Sequence, residues 1–190
     1  MADAGRVIAG SAKGIRLRAP GPGTRPIADR VKQTLFAILE PDLRDARVLD
    51  LFAGSGAAGI EALSRGAAHA TFVERDRTAA AVIATNLGKT RLAGQRAKII
   101  RAEALGWLAG AEANVAGPFD IVIVDPPYAE PGMLVAALEA LGPLLAPQGR
   151  VVAKHFWRDP PPASVGLLAS ERERRFGETT LTFYRRAEDR

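Results

Sequence analysis

The 190-residue sequence predicts an α/β fold: a mostly parallel, seven-stranded sheet with helices on both faces, preceded by a β-hairpin. Three observations carry this reading. From Arg47 onward strand and helix signals alternate, and each parallel strand pair needs a crossover helix. Near the N-terminus two short apolar stretches flank a glycine-bearing connection. Near the C-terminus, Leu167–Ser170 and Thr179–Tyr184 form a closing antiparallel pair after the loop at Pro160-Pro161-Pro162.

The hairpin is read from Arg6–Ala9 and Ile15–Arg18 around Gly10–Gly14. Pro20-Gly21-Pro22-Gly23 then makes a turn-rich link. Val31, Leu35, Phe36 and Leu39 fall at helical spacing from Asp29, and Pro41 is expected to stop that helix. Sheet strands are expected at Val48–Phe52, Ala70–Val73, Lys98–Arg101, Ile121–Val124 and Arg150–Ala153, with helices near 57–65, 77–88, 103–110 and 131–145. The chain divides into a basic extension, 1–36, and one compact unit, 37–190. In such sheets ligands bind beyond the carboxyl ends of the strands, which is where the unusual residues stand.

Composition limits the possible functions. Hydrophobic residues make up 47% and charged residues 25%, an ordinary globular balance. No apolar run is long enough to span a bilayer, and the first residues lack a signal-peptide core, so a cytoplasmic protein is expected. The absence of cysteine excludes thiolate chemistry, and with two histidines no metal site is expected. The net charge of +5 is confined to one segment: residues 1–36 carry seven basic groups against two acids, and the rest carries 19 of each. Arg6, Lys13, Arg16, Arg18, Arg25 and Arg30 are therefore candidates for binding a polyanion such as RNA.

The first strand of the sheet runs into Asp50-Leu51-Phe52-Ala53-Gly54-Ser55-Gly56, with Gly59 in the helix that follows. Gly54 and Gly56 allow a tight turn and a close ligand approach, and Gly59 allows the helix to pack closely on the sheet. Glu74, at the end of the next strand, can accept both hydroxyls of a ribose. The glycine pattern alone also serves NAD. Asp50 favours S-adenosylmethionine (SAM), because a carboxylate there suits the ammonium of a methionine moiety and repels a pyrophosphate. The stretch Phe52–Gly56 matches the first motif of SAM-dependent methyltransferases.

A second constellation is Asp125-Pro126-Pro127-Tyr128, where an apolar strand ends and two prolines force the chain out of the sheet. An exocyclic amine on a purine is a poor nucleophile, because its lone pair is delocalised into the ring. The Asp125 carboxylate and the Pro126 carbonyl can accept its two N–H bonds and aim the lone pair at a sulfonium methyl. Tyr128 offers a ring for the extruded base, worth about 1–3 kcal/mol, which is comparable to the cost of unstacking it.

On these residues the sequence resembles the bacterial 16S ribosomal RNA guanine-N2 methyltransferases, the small-subunit methyltransferase D group. The likeness spans Arg6–Gly10, Thr24-Arg25-Pro26, Asp29–Phe36, Leu49–Gly56, Asp125–Tyr128 and Phe176–Thr179. It implies a Rossmann-like class I methyltransferase fold, SAM as cofactor with S-adenosylhomocysteine as product, and no metal. It also implies methylation of one guanine N2 of 16S rRNA in a small-subunit assembly particle, by a monomer. The cofactor-binding residues would be Asp50, Phe52, Ala53, Gly54, Ser55, Gly56, Glu74 and Glu103, the last standing where an Asp usually meets the adenine. Ile27-Ala28 replace hydroxyl residues, removing a helix cap or polar contact. Ala153-Lys154-His155 replaces an acidic stretch, and His155 receives no catalytic role.

Three rivals remain at this point. An NAD-dependent oxidoreductase would use Gly54, Gly56, Gly59 and Glu74, but it leaves Asp125–Tyr128 without a task. An inactive RNA-binding assembly factor is disfavoured by the intact Asp125, Tyr128 and glycine loop. An adenine-N6 methyltransferase fits Asp125 equally well, so the resemblance alone selects guanine.

Overall fold

A computed structural model describes residues 3–21, 27–128 and 130–189. Its elements in chain order are β1 (Asp3–Arg6), β2 (Arg16–Arg18), α1 (Asp29–Leu43), β3 (Arg47–Leu51), α2 (Ala57–Ser64), β4 (His69–Val73) and α3 (Arg77–Thr90). There follow β5 (Ala97–Ile100), α4 (Ala104–Leu108), α5 (Ala111–Ala116), β6 (Phe119–Val124), α6 (Pro131–Leu141) and β7 (Leu145–Phe156). The chain closes with β8 (Ser164–Val165), β9 (Leu168–Phe176) and β10 (Thr179–Arg186).

The strands form one eight-stranded sheet in the order β5-β4-β3-β6-β7-β10-β9-β8, beside the separate β1-β2 hairpin. Strands β3 to β7 run parallel, whereas β10 and β9 pair antiparallel. The eighth strand, β8, is two residues long and too short to read from sequence. One core lies under α1, α2 and α3, with Leu35, Phe36, Ile60 and Ile83 fully buried. The other, on the opposite face, holds Trp107, Leu138 and Leu141 from α4 and α6. Gly59 lets α2 sit on the sheet, because a Cβ there would come within 2.3 Å of the Phe72 ring.

Several boundaries differ from expectation. The first hairpin strand lies earlier, at Asp3–Arg6, while the second, Arg16–Arg18, falls within the expected Ile15–Arg18, with 7–15 as the connection. Helix α1 continues through Pro41 to Leu43. The proline forgoes its own bond to the Ala37 carbonyl, and burial of Leu39 and Leu43 on either side of it carries the helix on. The helix expected near 103–110 is α4, and a second short helix that was not expected, α5, follows it after Gly110. Strand β7 starts five residues early because a register shift opposite Phe119 and Ile121 absorbs the Pro147–Gly149 stretch. Strand β9 continues through the charged run 171–175, which pairs with β10 despite showing no apolar alternation.

A polar seam docks the hairpin on the body. The Glu61 carboxylate accepts the N–H groups of Ile8 at 2.8 Å and Ala9 at 3.0 Å. Ser64 Oγ donates to Ala9 O at 2.6 Å and accepts from Ala12 N at 2.9 Å. Asn86 on α3 accepts from Arg18 N and donates to Arg18 O and Ser55 O. Lys32 Nζ donates to Arg6 O at 2.5 Å. Among the described residues, no helix is long and apolar enough to cross a membrane.

Candidate active site

Strand β3 has β4 on one side and β6 on the other, so the strand order reverses beside it and the loops after these strands diverge. They enclose a cavity of about 570 Å³, a size typical of small-molecule sites. Asp50 and the loop from Phe52 to Ser55 form its floor, Glu74 and Glu103 one wall, and Asp125–Tyr128 with Lys154 the other. Gly56 is not among the lining residues: as the residue preceding α2 it turns the chain with φ 75°, packed against Ile83.

The floor is conformationally unusual. Phe52 takes φ 69° and Gly54 φ 55°, left-handed values that a β-carbon penalises. Space is open where a Cβ on Gly54 would stand, so the loop leaves room for a ligand to approach. The Asp50 carboxylate is buried and accepts one hydrogen bond, from Gly59 N at 2.8 Å. No cation pairs with it among the described residues. Burial, with the Asp125 and Glu74 charges behind it, pushes its carboxyl up to about 7. A buried carboxylate lacking a counter-ion suits an ammonium ligand and disfavours a pyrophosphate.

Glu74 is held by two main-chain donors, Gly54 N and Asp76 N, both at 2.8 Å. This fixes the carboxylate at the cavity wall. Glu103 caps α4 by accepting from Gly106 N at 2.7 Å, so one of its oxygens is committed to the helix and the other is open. At the foot of α1, Ala28 supplies no side-chain cap and Ile27 turns into the cavity wall.

On the opposite wall, Lys154 stands at the carboxyl end of β7 with its Nζ 2.6 Å from Asp125 Oδ1. Asp125 Oδ2 has no hydrogen bond among the described residues. The same ammonium lies 4.8 Å from the centre of the Tyr128 ring. Burial raises the Asp125 carboxyl above the ordinary range, and the Lys154 charge and hydrogen bond counter this only in part. Burial would lower Lys154, but attraction to Asp125 and to Tyr128 prevails and holds its ammonium above the usual value. The Tyr128 hydroxyl is bonded to Thr179 Oγ1 at 3.1 Å. Sequence reasoning assigned Lys154 no role. The signal on offer was its place at a strand end, in a stretch that departs from the family pattern. His155 is buried against Thr182 Oγ1 at 2.9 Å.

Of the candidate RNA-binding residues, Arg6, Lys13, Arg16, Arg18 and Arg30 are exposed. Arg6 and Arg16 each carry a carboxylate partner, Asp29 at 3.3 Å and Asp3 at 2.6 Å. Lys32, one of the seven basic groups counted in the extension, is fully buried and cannot reach RNA. Arg25 lies outside the described residues.

Comparison with known proteins gives the family. The model of conserved hypothetical protein 95 matches residues 5–185. The Bacillus subtilis protein YlbH, named provisionally as an rRNA methyltransferase, is 40% identical over 184 residues, 95% of this chain and 98% of that protein. The Escherichia coli K12 ribosomal RNA small subunit methyltransferase D is 46% identical over 124 residues, 65% of this chain and 60% of that protein. The chain belongs to the small-subunit rRNA methyltransferase D-like family. Solved structures agree. The E. coli protein yhhF, provisionally called a methyltransferase, superposes with TM-score 0.82 at 34% identity, covering 95% of this chain and 97% of its own. A hypothetical protein from Thermus thermophilus gives 0.80 at 30% identity, covering 94% and 97%. The fold is that of Rossmann-like class I methyltransferases, and the mostly parallel sheet with its N-terminal hairpin is as expected from sequence.

Proposed function

We propose that this chain transfers a methyl group from SAM to the exocyclic N2 of a guanine in 16S rRNA. The observation that carries the reading is a single cavity faced by two differently placed carboxylates. Asp50 is buried without a cation, and Asp125 opens the Asp-Pro-Pro-Tyr turn. Asp50 would take the ammonium of the methionine moiety, Glu74 the ribose hydroxyls, and the open oxygen of Glu103 the adenine. The backbone of Phe52–Gly56 would shape the floor beneath. When bound, SAM supplies a methyl group on a sulfonium.

The chain's own residues do the positioning. Asp125 Oδ2 and the Pro126 carbonyl accept the two N–H bonds of the target amine, while Lys154 holds Oδ1 and so fixes the carboxylate plane. The Pro126-Pro127 pair restricts the turn, and the Tyr128 ring, steadied through Thr179, carries the base. Forming the N–C bond breaks the S–C bond and leaves one proton to depart from nitrogen, for which Asp125 is the adjacent acceptor. Alignment and preorganised acceptors lower the barrier.

Residues 1–36 would act as the RNA-binding extension of the 37–190 methyltransferase domain. Arg6, Lys13, Arg16, Arg18, Arg25 and Arg30 would hold phosphates beside the crevice, contacts that position the RNA without reading its sequence. A monomer acting in the cytoplasm on a small-subunit assembly particle is the simplest setting. The choice of guanine rests on the family, whose E. coli member is named for the small subunit. Incubation with labelled SAM and RNA from cells lacking this protein, followed by mapping of the modified base, tests the reading. Label in an adenine, or none in RNA, overturns it. Asp125→Ala should lower the transfer rate about 100–1000-fold while SAM affinity measured by calorimetry stays near wild type.

A further inference from the structure

We infer that Phe156, Trp157, Arg158 and Arg175 form a second RNA-binding surface, which holds the nucleotides flanking the target base. The inference rests on the reading that this chain methylates a base in RNA. The Tyr128 ring begins an aromatic row that leads out of the crevice. Its centroid lies 6.3 Å from that of Phe156, and Phe156 lies 6.2 Å from Trp157. Thr179, which holds the Tyr128 hydroxyl, is the register partner of Phe156 across β7 and β10. The row therefore stands where the carboxyl end of β7 meets the β9–β10 turn. Trp157 is anchored there, its main-chain N–H donating to Glu178 O at 3.0 Å.

Two guanidinium groups face the outer ring. Arg175 lies 3.9 Å from the Trp157 ring centre and Arg158 4.8 Å. Arg175 Nε donates to Gly177 O at 2.9 Å, which fixes the arm and leaves its terminal nitrogens to a ligand. Both arginines are exposed, and neither has a carboxylate partner among the described residues. Asp159 and Glu178 stand in the same turns, so net charge alone does not make this rim attractive. What distinguishes it is planar rings in series with oriented cations.

A strand that turns one base into the cavity exposes the stacking faces of its neighbours and brings their phosphates close together. Aromatic rings and guanidinium planes take such bases, and the cations take the phosphates. The hairpin packs on α2 and α3, whereas this rim belongs to β7, β9 and β10. Sequence composition pointed only to the hairpin.

The test is methyl transfer to small-subunit assembly particles from cells lacking this protein, with KM for that RNA substrate measured across a salt series. Trp157→Ala should raise KM for RNA roughly tenfold, and Trp157→Phe should recover most of the loss. The double variant Arg158→Gln/Arg175→Gln should flatten the plot of log affinity against log salt by about one to two. SAM affinity and kcat at saturating RNA should hold in all three. If Trp157→Ala fails to fold, the exposed arginine pair decides the matter. A wild-type chain that methylates RNA alongside variants with its KM and salt slope overturns this surface alone. A wild-type chain that leaves RNA unmodified overturns the function, and the surface with it.

Discussion

The seam that docks the hairpin and the crevice that faces solvent both bury carboxylates, yet they treat them in opposite ways. Glu61 in the seam is saturated: two main-chain N–H groups, the Arg65 guanidinium at 2.8 Å and the Lys32 ammonium at 3.8 Å surround it. Asp50 in the crevice has one main-chain donor, and its carboxyl is displaced to about 7. Asp125 lies between these extremes, with one oxygen paired and the other open. A buried charge whose partners are all present builds structure, while one that lacks partners marks a place for a ligand.

The largest test of this contrast falls on the seam. Glu61→Ala would leave Lys32, whose side chain is 0% exposed, without its anion. Removing one member of a buried pair costs about 3–5 kcal/mol, so urea titration should show a loss of that order. Unchanged stability would mean that the seam is decoration. Next in size is Lys154→Met. With its counter-charge gone, burial acts alone on Asp125 and raises its carboxyl further. The acid limb of the rate profile should then move up by about one to three pH units, with SAM affinity preserved. A profile that only scales down would deny Lys154 this role.

Asp50 gives a subtler effect. Folding holds its proton more tightly than the unfolded chain does, the pKa moving from 3.8 to about 7. Its contribution therefore turns against folding as pH rises between those values and is constant above them. Asp50→Asn should raise the Tm of the ligand-free protein at pH 8. In the wild type, SAM affinity should fall about tenfold per pH unit below about 7, and the Asn variant should lose that dependence. The smallest change is expected at the surface. Arg30→Ala should weaken RNA binding only a few-fold and flatten its salt dependence by about one, leaving SAM affinity alone. Equal loss of both ligands would break the division between hairpin and crevice.

Much of this arrangement was legible in residue order because the features concerned are local. Gly54 must accept a left-handed φ, and Pro126-Pro127 must leave the sheet, whatever the rest of the chain does. Strand and helix order followed from periodicity for the same reason. Length was less legible. Strand β9 carries a charged run because pairing with β10 supplies its hydrogen bonds, and no alternation announces that.

The sequence by itself determined the layered sheet, the glycine floor beneath the cavity and the Asp-Pro-Pro-Tyr turn, since each is dictated by residues within a few positions of one another. Only the tertiary structure decided that Lys154 grips Asp125 across 29 positions, that Glu61 closes on a hairpin more than 50 positions away, and that Trp157 meets Arg175. Such pairs form where strands and loops distant in the chain come together. Their geometry depends on register and packing, which no local pattern of residue types encodes.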